Sequence, residues 1–396
     1  MKIGIDATPL SVPRAGVGTY TANLIGALRA TGEDEVVPLL QRPVHPSFAE
    51  SRVGDGQGYP CPPTGPWSRL NRTVWMQTKL RRVIRDGGFD LCHFTNGVAP
   101  LGCRCPYVVT VHDAGLWLHP EYHYLRRLVS LGPLVPHVLR RARAVVTVSA
   151  TVKEELLGLF RLPASKVRVI PQGVSPHFAT RPSTGELSSI RSAYGLPERF
   201  ILSVGVLEPR KNLVRLLEAY TIVNEEHVGR NVGLVLVGRW GWKCRPLRDA
   251  LSRLDSRMPV RVLGPVSDRA LLSLYHLATV LAFPSLYEGF GLPVVEAMTC
   301  GTPVLTSGTG ALAEVSGDAA ELVDPRRVES IAEGLRRILD DGDRAAELRR
   351  RGIERARSFT WSRAARAIRS LYLEVCDARA GRSGCRERTD RSGSDE

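Results

Sequence analysis

Short apolar, largely β-branched runs alternate along the chain with longer stretches whose apolar positions recur every three or four residues. In the first half the runs are Lys2–Asp6, Val36–Leu40, Phe89–Phe94, Tyr107–His112, Ala144–Ser149 and Val167–Ile170. Each is apolar along most of its length, as strands buried on both faces are. Helical stretches such as Gly18–Ala30 and Thr151–Phe160 fall between them, the second opening on the capping-box pattern Thr151-Val152-Lys153-Glu154. Repeated strand–helix units predict a parallel, doubly wound α/β sheet.

A second series follows: Phe200–Val204, Val232–Val237, Val260–Leu263, Val280–Phe283, Pro303–Thr306 and Glu321–Val323. Between the two lies a polar stretch punctuated by Pro176, Pro182, Gly185 and Pro197, which reads as a linker over 176–197. The expected organisation is a first Rossmann-like domain over 1–175 and a second over 198–358. Such folds place ligands at the carboxyl ends of strands, so a cleft between the domains is the expected site. Residues 359–376 read as an arginine-rich helix introduced by Ser358-Phe359-Thr360-Trp361. Residues 377–396, rich in Ser, Gly, Arg, Asp and Glu, read as a disordered tail.

Composition narrows the classes of function. The 396 residues are too many for one ordinary domain and suit two. No run of 18 apolar residues occurs, and the opening Met1-Lys2-Ile3-Gly4-Ile5-Asp6 lacks the features of a signal peptide, so a cytoplasmic location is the default expectation. The eight cysteines include a single close pair, Cys103 and Cys105, with no second pair at zinc-ligand spacing; buried thiols are the better reading. The net charge is +14, with arginine pairs at Arg81-Arg82, Arg126-Arg127 and Arg140-Arg141. Basic charge favours anionic partners, or reflects solvated helix faces. No nucleic-acid motif accompanies it, so nucleic acid is discounted.

The sharpest segment runs Pro284-Ser285-Leu286-Tyr287-Glu288-Gly289-Phe290-Gly291-Leu292-Pro293-Val294-Val295-Glu296-Ala297-Met298, after the strand Val280–Phe283. Gly289 and Gly291 let backbone approach a ligand, and Pro293 sits where a helix begins, whose free amides form an anion site. Glu288 falls in the loop and Glu296 in the helix, so the two acids address different parts of a long ligand. Arg210 and Lys211, in Val204-Gly205-Val206-Leu207-Glu208-Pro209-Arg210-Lys211-Asn212-Leu213, follow the first strand of the second series. Two cations at a strand end would stabilise a departing diphosphate.

These segments resemble motifs of glycosyltransferase family 4, the retaining GT-B enzymes called glycosyl transferases group 1. Glu288 and Glu296 match its Glu-x7-Glu spacing, and Arg210-Lys211 its donor-phosphate motif. The resemblance implies that Glu288 faces the donor sugar, that Glu296 holds the ribose, and that Gly205, Arg210, Lys211 and the backbone of Gly289, Phe290, Gly291 and Leu292 meet the diphosphate and sugar. In the first series, Ala15-Gly16-Val17-Gly18-Thr19-Tyr20 resembles the family's glycine loop, placing Gly16 and Gly18 near the donor. That loop also imitates a dinucleotide fingerprint, but Thr21 stands where a third glycine belongs, which disfavours NAD. Val109-Thr110-Val111-His112-Asp113 resembles the Val-His-Asp segment whose histidine meets the donor sugar; His112 and Glu288 are the expected catalytic residues. Asp113 either orients His112 or begins the next loop. Ser149, Val169–Val174 and Trp361 look like structural landmarks of the family.

The resemblance implies a GT-B fold and a retaining transfer with no bound metal and no cofactor, the nucleotide sugar being a substrate. The opening residues and the Val-His-Asp stretch look most like bacterial mannosyltransferases of surface polysaccharides. GDP-mannose is therefore the expected donor, with a UDP-sugar the alternative. The acceptor is a polysaccharide, a lipid-linked glycan or a small natural product. Basic residues of the first domain could also touch an anionic membrane. Rival readings are an epimerase or phosphorylase of the same fold, a non-catalytic partner subunit, and a basic membrane-surface protein.

Overall fold

The computed structural model describes residues 1–48, 72–123, 132–225, 232–255 and 258–389. Arg126, Arg127 and residues 390–396 of the expected tail lie outside them. The chain divides into two compact units, Met1–Gly173 with Trp361–Glu396, and Val174–Thr360.

The first unit is built on a sheet ordered β2-β1-β3-β4-β5-β6, all parallel. Its strands are β1 (Lys2–Asp6), β2 (Glu35–Leu39), β3 (Leu91–Phe94), β4 (Tyr107–Val111), β5 (Ala144–Thr147) and β6 (Val167–Val169). The second unit holds a parallel sheet ordered β12-β11-β10-β7-β8-β9. Its strands are β7 (Arg199–Val204), β8 (Val232–Val237), β9 (Val260–Gly264), β10 (Val280–Phe283), β11 (Val304–Ser307) and β12 (Glu321–Val323). Every residue of β4 and β8 is buried, because helices cover both faces of each sheet. Each Val, Leu or Ile so buried contributes about 1.5–3 kcal/mol of transfer free energy. Cys92, Cys103 and Cys105 pack in the first core, where burial pushes the Cys103 thiol up to about 11.

Four strands, β2, β4, β5 and β6, end earlier than their apolar runs suggest. His112 and Ser149 lie beyond the last paired residues, Val111 and Thr147. Ser149 is the N-cap of the helix Ala150–Phe160, its hydroxyl accepting the Val152 amide at 3.2 Å. The helix therefore starts before Thr151, and the cap is not the Thr151 pattern read from the sequence.

The segment 176–197 is not an unstructured linker. It forms a turn, Pro176–Ala179, and a helix, Thr184–Ala193, and belongs to the second unit. Ser183 and Glu186 close a reciprocal capping box at that helix start. Phe178 is buried edge-on against Tyr275, centroids 5.8 Å apart. The chain instead changes unit at Gly173/Val174 and Thr360/Trp361, and Val174 N donates to Phe359 O at 3.0 Å. The last helix runs Trp361–Thr389, past the point where a disordered tail was expected to begin. It belongs to the first unit, where Trp361 packs on Tyr20 with centroids 5.5 Å apart.

Removing the Ser149 hydroxyl strands a buried helix-start amide. Ser149→Ala is expected to lower stability by about 1 kcal/mol in denaturant titration.

Candidate active site

In a doubly wound sheet the loops diverge where the strand order reverses, leaving a crevice at the carboxyl ends. In the second unit this reversal falls between β7 and β10, which pair directly. The segments 205–212 and 284–291 are the loops that follow those two strands, so the fold brings both sequence motifs to one place.

The loops are fastened together. Pro209–Lys211 forms a single 3-10 turn ended by Asn212 in the left-handed region, φ 60°. The Asn212 side-chain amide donates to Pro284 O at 3.0 Å and Pro325 O at 2.6 Å, and Leu286 N donates to Arg210 O at 2.8 Å. Arg210 Nη1 reaches Glu288 Oε2 and Tyr287 O, each at 2.7 Å. The other edge of its guanidinium meets Glu208 Oε1, with Nη2 at 2.8 Å and Nε at 3.0 Å. Lys211 Nζ donates to Glu288 Oε1 at 2.5 Å and lies 4.3 Å from the centroid of Phe283, the last residue of β10. Gly205 borders this cluster: a Cβ there would sit 3.1 Å from Lys211 Cε. Gly238, after β8, has φ 142°, and a Cβ on it would lie 1.9 Å from Gly205 O, so only glycine closes this junction.

Burial pushes the Glu288 carboxyl up, but Arg210 and Lys211 outweigh it and hold the group at about 2. The Lys211 ammonium is pulled down from its ordinary value, by burial first, with Glu288 opposing and Arg210 adding to the fall. The pair is thus asymmetric: the carboxylate is firmly ionised, whereas the ammonium carries the desolvation cost. Arg210 and Lys211 are balanced by Glu288 and Glu208, leaving the cluster close to neutral. Two buried polar atoms beside it lack protein partners, Glu208 Oε2 and Ser285 Oγ.

Glu296 stands apart from this cluster, on the helix Leu292–Thr299, where its Oε2 accepts the Tyr275 hydroxyl at 2.8 Å. Gly291 caps that helix with φ 101°, and a Cβ there would meet Leu312 Cδ2 at 2.5 Å. Gly289 is buried and Leu292 half-buried beside it. The Phe290 ring is buried edge-on against Phe359, centroids 5.5 Å apart, so packing occupies this ring.

In the first unit the order reverses between β1 and β3. The glycine loop follows β1 and opens the helix Gly16–Ala30, whose Ala15 N-cap supplies no side-chain cap. Gly16 is exposed with open space around it, whereas Gly18 is buried, and a Cβ there would meet Phe48 Cζ at 2.7 Å. Gly16 therefore suits ligand approach, and Gly18 is demanded by packing. His112 is half-buried after β4, its Nε2 2.8 Å from Thr95 O and its ring edge-on to Tyr20 at 4.6 Å. A carbonyl only accepts, so Nε2 carries the proton. Burial holds the ring below its ordinary pKa, against the Thr95 bond and Asp113, which leaves Nδ1 with a lone pair. Asp113 serves the next turn, its Oδ1 accepting Gly115 N at 3.0 Å.

Sequence reading assigned no role to Glu208, Tyr275 or Thr95. Glu208 was visible within its motif. Tyr275 gives no signal, coming from another helix whose apolar face it shares. Among the described residues no group of three or more His, Cys, Asp or Glu could hold a metal. An Asp-x-Asp spacing does occur, at Asp341-Gly342-Asp343, where Asp341 caps a helix by accepting Arg344 N at 2.9 Å. No described helix is long and apolar enough to cross a membrane.

Two parallel doubly wound sheets, with cations and a carboxylate at the switch point of the second, define a GT-B glycosyltransferase. The chain belongs to glycosyltransferase family 4: the Glycosyl transferases group 1 profile matches residues 189–359 and the Glycosyltransferase Family 4 profile residues 14–178. It is 30% identical over 374 residues to the O-antigen chain mannosyltransferase B of Escherichia coli, covering 91% of this chain and 96% of that one. In fold it is similar to sucrose-phosphate synthase from Thermosynechococcus elongatus, with TM-score 0.71, 23% identity and coverage of 95% and 99%. Anabaena HepE in complex with UDP-glucose gives TM-score 0.69, 17% identity and coverage of 94% and 99%.

The depressed Glu288 value has a defined consequence in acid. Its contribution to stability is complete above the ordinary carboxyl value of 4.5 and is lost as pH falls from there through about 2. Glu288→Gln should remove that part of the acid slope when unfolding midpoints are compared across this range.

Proposed function

We propose that the protein is a retaining mannosyltransferase that takes its sugar from GDP-mannose without a bound metal. The observation that carries this reading is the Arg210–Lys211–Glu288 cluster at the β7/β10 switch point, and the likeness to the Escherichia coli mannosyltransferase supports the sugar. Arg210 and Lys211 supply the positive charge that a diphosphate requires, in the place a divalent cation would otherwise take. On binding they exchange Glu288 for phosphate oxygens, and Glu288, released, accepts hydroxyls of the donor sugar. Glu296, held by Tyr275, accepts the ribose hydroxyls. His112 is assigned to the donor sugar by family resemblance, with the lone pair on Nδ1 accepting a hydroxyl.

In the transfer, the bond from C1 of the sugar to the β-phosphate oxygen breaks, and its electron pair goes to the phosphate. The acceptor hydroxyl oxygen bonds to C1 on the same face, and its proton passes to the departing phosphate. No covalent sugar–protein intermediate forms. The acceptor is a glycan, a lipid-linked glycan or a small natural product, and the basic first unit favours an anionic surface nearby.

Nucleotide binding tests the donor. GDP, and not UDP, dTDP or ADP, should raise the unfolding temperature, and Glu296→Ala should abolish the rise. Stabilisation by UDP alone would replace GDP-mannose with a UDP-sugar. No shift with any nucleotide would favour a non-catalytic role. Lys211→Ala should lower kcat by about 100- to 1000-fold, and EDTA should leave wild-type turnover unchanged.

A further inference from the structure

Behind His112 lies a buried polar chain that the transfer chemistry does not use. His93, on β3, is fully buried; its Nδ1 is 2.6 Å from the Tyr372 hydroxyl and its Nε2 2.7 Å from Thr110 Oγ1. Burial, with His112 nearby, holds the His93 ring down at about 3, so it stays neutral. A neutral imidazole has one N–H and one lone pair, and here each ring nitrogen has one hydroxyl partner. Thr110 Oγ1 also lies 3.1 Å from the Tyr20 hydroxyl, and the Tyr20 ring abuts His112. Thr110 is on β4, and His112 follows directly after the last residue of that strand, Val111.

Tyr372 belongs to the last helix, and so does Trp361, which also packs edge-on against Tyr20. Eleven residues make about three helical turns, so both side chains leave the helix on one face. Arg369 of the same helix is clamped by Glu33 at 2.9 Å and Asp34 at 2.8 Å, fixing its position on the first unit. A second support reaches His112 through its Nε2. Thr95, whose carbonyl receives Nε2–H, has its hydroxyl held by Asp6 O and Thr21 Oγ1, each at 2.9 Å.

We propose that Tyr372, His93, Thr110 and Tyr20 form a positioning chain through which the last helix fixes the orientation of the His112 ring, and thereby keeps its Nε2–H on the Thr95 carbonyl. The proposal rests on reading His112 as the residue that meets the donor sugar. Hydroxyl and imidazole partners suit this task because the three hydrogen bonds that hold Tyr20 have directions, and none of these groups introduces a charge beside a histidine that has to remain neutral. Asp113, the carboxylate next to His112 in the chain, gives its Oδ1 to Gly115 N.

Tyr372→Phe removes one link at nearly constant volume, and Thr110→Val removes two; the second guards against a folding defect in the first. In the full chain, long-range proton–nitrogen correlation spectra should show wild-type His112 with a protonated Nε2 and a bare Nδ1. Both variants should move these nitrogens toward the average of a tautomer mixture. In parallel kcat should fall about 10-fold while the donor KM stays within about twofold. Unchanged His112 signals overturn the proposal, whether or not kcat falls, since a loss without them is structural. Shifted signals with unchanged kcat would uphold the positioning chain and overturn the catalytic reading of His112.

Discussion

The contact between Lys211 and Glu288, with Arg210 closing the triangle, is the constraint on which the site depends. Opposite charges this well buried hold together only if each keeps a partner, because removing one from such a pair costs about 3–5 kcal/mol. The geometry honours this: Glu288 has both oxygens engaged, and Arg210 divides its guanidinium between Glu288 and Glu208. The loops after β7 and β10 are therefore locked by charge as well as by Asn212, and the strand order that makes those loops neighbours is part of the chemistry. The same near-neutrality suits the proposed exchange. An incoming diphosphate brings the negative charge that Glu288 now supplies, so the cations gain a partner as they lose one.

The first unit prepares its side of the fold by other means. There the groups that His112 touches are the Thr95 carbonyl and the Tyr20 ring, with hydroxyls and a neutral second imidazole behind them and Asp113 as the neighbouring charge. A neutral ring with a lone pair suits hydroxyls and paired cations suit phosphate, which is why the proposed function gives the sugar to the first and the diphosphate to the second.

Much of the fold was legible because a parallel sheet buried on both faces writes itself as unbroken apolar runs. β1, β8, β10 and β12 have the bounds read from the sequence. The runs ending in His112 and Ser149 were read too long, since burial continues after the backbone leaves the ladder. Prolines caused the linker error: Pro176 begins a turn and Pro182 precedes the Ser183 cap, so the punctuation marked the start of ordered elements. In the site, Lys211 and Glu288 were each recognised from a local motif. Their pairing, across 77 residues, follows only from the sheet order. Tyr275 on Glu296 and Tyr372 on His93 join distant elements through side chains that look like ordinary core positions in sequence. Phe290 and Gly18 show the converse, because motif residues can be dictated by a packed neighbour.

The most direct test of the central claim is an experimental structure with GDP-mannose bound. The account predicts β-phosphate oxygens within hydrogen-bond distance of Arg210 Nη1 and Lys211 Nζ, with Glu288 released from both and placed on a sugar hydroxyl. A diphosphate bound elsewhere, with the Arg210–Glu288 and Lys211–Glu288 pairs intact, would contradict it.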